Sequence, residues 1–152
     1  MQAHNRLTPL QGLLRQAGFD VSVVDDARAV LWGKLVINAA INPLTALLRV
    51  PNGALLEQAH ARQLMHALAR ETAAVAHALG VALPFDDPTA AVEAVARKTA
   101  GNYSSMAQDM QRGAPTEIDA ICGAVVQAAA TLKAPAPLNE AMWRLVRAAQ
   151  PE

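Results

Sequence analysis

Three features of the sequence predict an all-α fold. Hydrophobic residues make up 53% of the 152 and aromatic ones only 3%, a bias carried by Ala, Leu and Val that favours close-packed helices over a sheet. Apolar residues recur at helical spacing in segments bounded by capping residues, glycines or prolines. A strand-like alternation occurs only at Phe19 to Val24, and no second strand pattern follows it.

The length suits one domain with a real core and is too short for two ordinary ones. Lys plus Arg equals Asp plus Glu at 13 each, so no net charge steers the chain toward nucleic acid. The single Cys122 has no internal partner for a disulfide, which fits a reducing cytoplasm. Residues 1 to 10 carry polar and basic side chains where an export signal would be apolar, so a cytoplasmic location is expected. The longest apolar stretch, about Ala29 to Val50, is interrupted by Lys34, Asn38, Asn42, Pro43 and Arg49, which argues against a membrane span. His60, His66 and His77 lack ligand spacing, and no Cys or carboxylate cluster completes a set, so no metal site is expected.

Thr8 and Pro9 are suited to start a short first helix, Leu10, Leu13 and Leu14 to give it an apolar face, and Gly18 to end it. Phe19 to Val24 is then an orphan strand, which should pair with something outside these residues. Asp25 or Asp26 caps the second helix, which Pro43 should kink or redirect. Val50 to Gly53 reads as a turn. A third helix spans about Glu57 to Leu79, with Leu64, Leu68, Val75 and Leu79 inward and Gly80 closing it. Asp87-Pro88 starts a fourth, running to about Ala100 with Val92 and Val95 inward. Ser104 or Ser105 caps a short helix through Met110, and Thr116 caps a fifth main helix, Glu117 to about Lys133, with Ile118, Ile121, Val125 and Val126 at core spacing. The last helix, Leu138 to Ala149, directs Met142, Leu145 and Val146 inward.

The second helix carries polar residues that folding does not require. Lys34, Asn38 and Asn42 stand four apart and form one stripe, each about 6 Å along the axis from the last. Leu31, Trp32, Leu35, Val36, Ile37, Ala39, Ala40 and Ile41 surround the stripe, and a helix apolar nearly all round is expected to be buried. A buried ammonium and two amides need partners, supplied either by an internal polar network or by a ligand.

The run W-x-K-L-x-x-N-x-x-x-N-P-L-T-A, followed by P-N-G, then N-Y-S-S-M-x-Q-D and T-E-I-D, resembles the ketopantoate reductase (2-dehydropantoate 2-reductase) family. The resemblance covers about Ala27 to Ala149 and is to the family's C-terminal helical half. It implies a multi-helix bundle like the C-terminal domain of 6-phosphogluconate-dehydrogenase-like reductases. Residues 1–25 would then be a remnant of the interdomain segment, 26–152 a substrate-binding and dimerisation domain, and the N-terminal Rossmann domain absent. By the same resemblance Lys34 is the proton donor to the keto oxygen of a 2-keto acid as hydride arrives from NADPH. Asn38, Asn42, Asn52, Asn102, Ser104 and Ser105 hold the substrate, and Glu117 lies near substrate and cofactor.

On the residues alone, each of these has an ordinary role. Ser104, Ser105 and Thr116 are natural helix caps, Asn52 before Gly53 is a turn residue, and Glu117 suits a helix N-terminus. The joint order of the four motifs favours the functional reading. The chain departs from the family at Cys122, where Asn is common in an I-N-G triplet. Cys122 itself reads as a small buried residue. No G-x-G-x-x-G occurs and the eight glycines are scattered singly, so nothing here cradles a pyrophosphate. NADPH is therefore expected in the full-length enzyme and not on this chain alone, which should be inactive by itself. Self-association is expected through the apolar face left for the missing domain. A non-catalytic helical dimerisation or binding module of the same descent is the alternative.

Overall fold

The computed structural model describes the backbone of residues 2–150 and the side chains of residues 8–150. All regular structure among them is helical: α1 Gln2–Gln16, α2 Ala27–Leu48, α3 Ala54–Glu57, α4 Ala59–Ala78, α5 Pro88–Lys98, α6 Ser105–Gln111, a π-helical turn Asp119–Gly123, α7 Ala124–Thr131 and α8 Pro137–Ala149.

Helix α2 is the hub, packing against α3, α4, α5, α6, α8 and the π-helical turn. Its Val36, Ala39, Ala40, Ile41 and Leu44 enter a core with Leu55, Met65, Leu68, Val92, Met106, Ile118 and Val146. The alanines allow helix backbones to approach closely, so the bundle closes with few aromatic residues. Helix α2 is the one helix among the described residues long and apolar enough to cross a membrane, yet half of its most apolar window is buried inside the fold.

The local chemistry of the caps matches the expectation at three helix starts. Asp26 accepts from the Arg28 N–H at 2.8 Å, Asp87 from the Thr89 N–H at 2.8 Å, and Ser104 from the Ala107 N–H at 3.0 Å. Helix α8 has no cap of its own at Ala136. The Glu71 carboxylate on α4 supplies one from a distance, accepting from the backbone N–H groups of Leu138 at 3.0 Å and Asn139 at 2.7 Å.

Several expectations are corrected. Helix α1 begins at Gln2, with Pro9 inside it and Thr8 therefore not its cap. Its apolar residues Leu10 and Leu13 are 52% and 65% exposed, and among the described residues α1 packs on no other helix. Phe19 to Val24 forms no strand, because no second strand exists among the described residues to build a ladder. The Val21 carbonyl is instead satisfied by Gln11 at 3.2 Å and by the Arg15 guanidinium at 2.8 Å. Helix α2 includes Pro43 and runs on to Leu48, so the proline does not end it. The third predicted helix is α4, and the short α3 precedes it across Gln58 in extended conformation, where only a turn was expected. The fifth opens as a widened turn, where the Gly123 N–H reaches back to the Ile118 carbonyl at 3.1 Å. Thr116 caps it only weakly, accepting from the Ile118 N–H at 3.4 Å. Leu145 faces solvent at 51% exposure.

Candidate functional site

The stripe on α2 is graded, not uniformly buried as its apolar surroundings suggested. Lys34 is exposed, Asn38 half-buried and Asn42 only 8% exposed. The first turns of α2 run past the helices that cover the rest of it, leaving Val30 49% and Leu31 66% exposed. None of the three stripe side chains makes a hydrogen bond among the described residues, so their polar atoms are available to a ligand.

The far end of the stripe is tied to the N-Y-S-S loop. Three residues beyond Asn42, the buried Thr45 hydroxyl lies 3.0 Å and 3.1 Å from the Ile41 and Asn42 carbonyls and shares a 2.8 Å hydrogen bond with the Ser104 hydroxyl. Ser104 also caps α6, so its oxygen is engaged within the fold. Ser105 follows it as the first residue of α6, exposed.

The P-N-G turn reaches the same loop from the other side. The Asn52 N–H donates to the Asn102 carbonyl at 2.9 Å and the Gly53 N–H to the Ala100 carbonyl at 3.0 Å. Position 53 requires glycine for this approach, because a Cβ there would stand 2.6 Å from the Ala100 Cβ. Asn52 Nδ2 donates to the Thr99 hydroxyl at 2.9 Å, which itself donates to the Val95 carbonyl at 2.8 Å. With the amide oriented by that chain, Asn52 Oδ1 is left buried and without a donor. An unpaired buried acceptor of this kind costs about 1–3 kcal/mol. The stripe can donate or accept at Asn38 and Asn42 and offers a cation at Lys34, while Asn52 Oδ1 is an unpaired acceptor beneath the surface.

The structure thus joins Asn42, Asn52, Asn102, Ser104 and Ser105 through α2, the P-N-G turn and the loop. Glu117 stands outside this bonding network, exposed and without a side-chain hydrogen bond among the described residues. None of the eight predicted side chains lines the recess of about 400 Å³ that opens beside Tyr103 and Arg49. Cys122 is fully buried, and burial first, then the charge of Glu71, pushes its thiol up to about 12, so it is inert packing. Sequence reasoning missed Thr45 and Thr99. The signal for Thr45 was a hydroxyl within an apolar helical run.

Residues 26–150 match the family model described as ketopantoate reductase PanE/ApbA C terminal. The chain belongs to the ketopantoate reductase family, as its C-terminal domain. It is 42% identical over 142 residues to a 2-dehydropantoate 2-reductase of Pyrobaculum aerophilum, covering 93% of this chain and 50% of that one. A Salmonella typhimurium 2-dehydropantoate 2-reductase is 38% identical, covering 94% and 45%. The crystal structure of a PanE/ApbA family ketopantoate reductase from Ralstonia eutropha superposes with a TM-score of 0.88 at 36% identity, covering 93% of this chain and 47% of that one. D-mandelate dehydrogenase with NADH and anilino(oxo)acetate gives 0.83 at 25% identity, covering 93% and 59%. The chain spans about half the length of the curated relatives it matches.

Proposed function

We propose that this ketopantoate-reductase-type domain supplies the substrate wall of an NADPH-dependent reductase that converts a 2-keto acid, ketopantoate or a close analogue, to the 2-hydroxy acid in cytoplasmic pantothenate and coenzyme A biosynthesis. The observation that carries this reading is the stripe of unpartnered side chains on α2, an exposed Lys34 in line with Asn38 and Asn42. Lys34 donates the proton to the keto oxygen as it becomes an alkoxide, and its charge stabilises that oxygen. Asn38, Asn42 and Asn52 orient the acid's polar groups, Asn102 and Ser105 hold its carboxylate, and Ser104 positions them from within the fold. Glu117 lies toward the cofactor side.

The residues present do not fit NADPH by themselves. The eight glycines of the chain are scattered singly, so no phosphate cradle forms here. That cradle belongs to a Rossmann domain, against which residues 1–25, with Leu10, Leu13 and Phe19 uncovered, form the interdomain segment. Self-association through exposed apolar surface completes the assembly. The test is turnover of ketopantoate with NADPH by the 152-residue chain alone and by the chain fused to the portion of the Pyrobaculum aerophilum relative that it does not match. The fusion is expected to turn over and the isolated chain not. An inactive, folded fusion contradicts the reading and favours a non-catalytic module.

A further inference from the structure

We infer that Thr45 is a positioning residue, which locks the substrate loop to the asparagine stripe at a fixed spacing. The inference builds on the reductase reading and goes beyond it, because it concerns what fixes the geometry of the wall and not what reacts there. Thr45 is wholly buried. Its hydroxyl lies within hydrogen-bond distance of the Ile41 and Asn42 carbonyls on its own helix and shares a 2.8 Å bond with Ser104 across 59 positions of sequence. Pro43 has no N–H, so the ladder of α2 lacks one bond in this same turn. The Thr45 hydroxyl thus ties the turn of α2 just after Pro43 to the loop.

Ser104 is the receiving end. Its oxygen caps α6 through the Ala107 N–H while bonded to Thr45, so the loop residue and the helix start are fixed together. Asn102 and Ser105, two residues before and one after Ser104, inherit that position. The opposite flank of the loop is held by the Asn102 carbonyl on the Asn52 N–H. With the Thr45 bond removed, the loop keeps that bond, the Ser104 cap on α6 and the Gln108 Nε2–H bond to the Tyr103 carbonyl at 2.9 Å, but loses its hydroxyl tie to α2. Lys34 lies about 16 Å away along α2, outside the reach of the change, so substrate capture suffers and proton delivery does not.

The test has two arms. In the 152-residue chain, Tyr103 is the single tyrosine and sits between Asn102 and Ser104, so its ring signal in NMR reports the loop. Thr45→Val is expected to shift and broaden that signal and to speed amide exchange at Ala107. Thr45→Ser, which keeps the hydroxyl, is expected to leave both near the parent. In the active fusion, Thr45→Val is expected to raise KM for ketopantoate about tenfold or more with kcat within about threefold, and Thr45→Ser to restore KM. An unchanged Tyr103 signal in Thr45→Val overturns the lock. A loosened loop with unchanged KM, or a loss of kcat that Thr45→Ser does not rescue, overturns the positioning role. An unmutated fusion without turnover sinks the reductase reading instead, while the loop measurement on the chain still decides whether the lock exists.

Discussion

The two halves of α2 carry one polar stripe and yet are built in opposite ways. From Ala39 to Ala46 every residue is buried, and the helix is fastened to its neighbours by core packing and by Thr45 on Ser104. From Ala27 to Lys34 only Gly33 is buried, and Lys34 stands in the open. The locked half holds Asn42, and the open half holds the Lys34 cation. A rigid wall needs preorganised amides, because orienting them at the moment of binding would cost conformational freedom. A lysine left at a surface is completed by whatever covers that surface.

Substitutions that separate stability from function sharpen this contrast. Leu44, 4% exposed in the locked half, has no solvent route to relieve a cavity. Leu44→Ala is expected to lower unfolding free energy by about 3 kcal/mol in urea denaturation. Gly53 meets the Ala100 backbone at the P-N-G turn, where a Cβ on residue 53 would stand 2.9 Å from the Ala100 Cα. Gly53→Val is expected to cost about 2 kcal/mol in the same measurement, since a backbone neighbour must move. In the open half, Leu31→Ser and Lys34→Ala are each expected to change stability by less than about 0.5 kcal/mol. A loss above about 2 kcal/mol for either would erase the contrast, because it would show that the open half is also held by this domain.

The parts of the fold that were legible in the sequence depend on short-range chemistry. Asp26, Asp87 and Ser104 cap their helices because a side-chain oxygen reaches an N–H two or three residues ahead, whatever the tertiary context. Gly18 closes α1 at a φ of 87°, with the Phe19 N–H on the Leu14 carbonyl, for the same local reason. Where the reading failed, the deciding partner lay far along the chain. The exposure of Leu145 and of Lys34 depends on which helix covers which face, and periodicity does not specify that. The cap of α8 comes from Glu71, 68 positions before Asn139. The π-helical turn is held by contacts across the bundle, with Trp143 donating to Asp119 at 2.6 Å and packing on Gly123. The alternation at Phe19 to Val24 was genuine as a pattern, but a strand is a property of two segments and the described residues contain only one. Of the candidate site, the four motifs supplied the expected residues, while the bonds from Thr45 to Ser104 and from Asn52 to Thr99 required the structure.

The most direct test of the proton-donor role is the kcat of Lys34→Ala in the active fusion, with ketopantoate and NADPH saturating. A kcat lower by about 100-fold or more, with the thermal midpoint unchanged, is the result predicted for a proton donor that the fold does not use. A kcat within about threefold of the parent would contradict it and remove Lys34 from the chemistry.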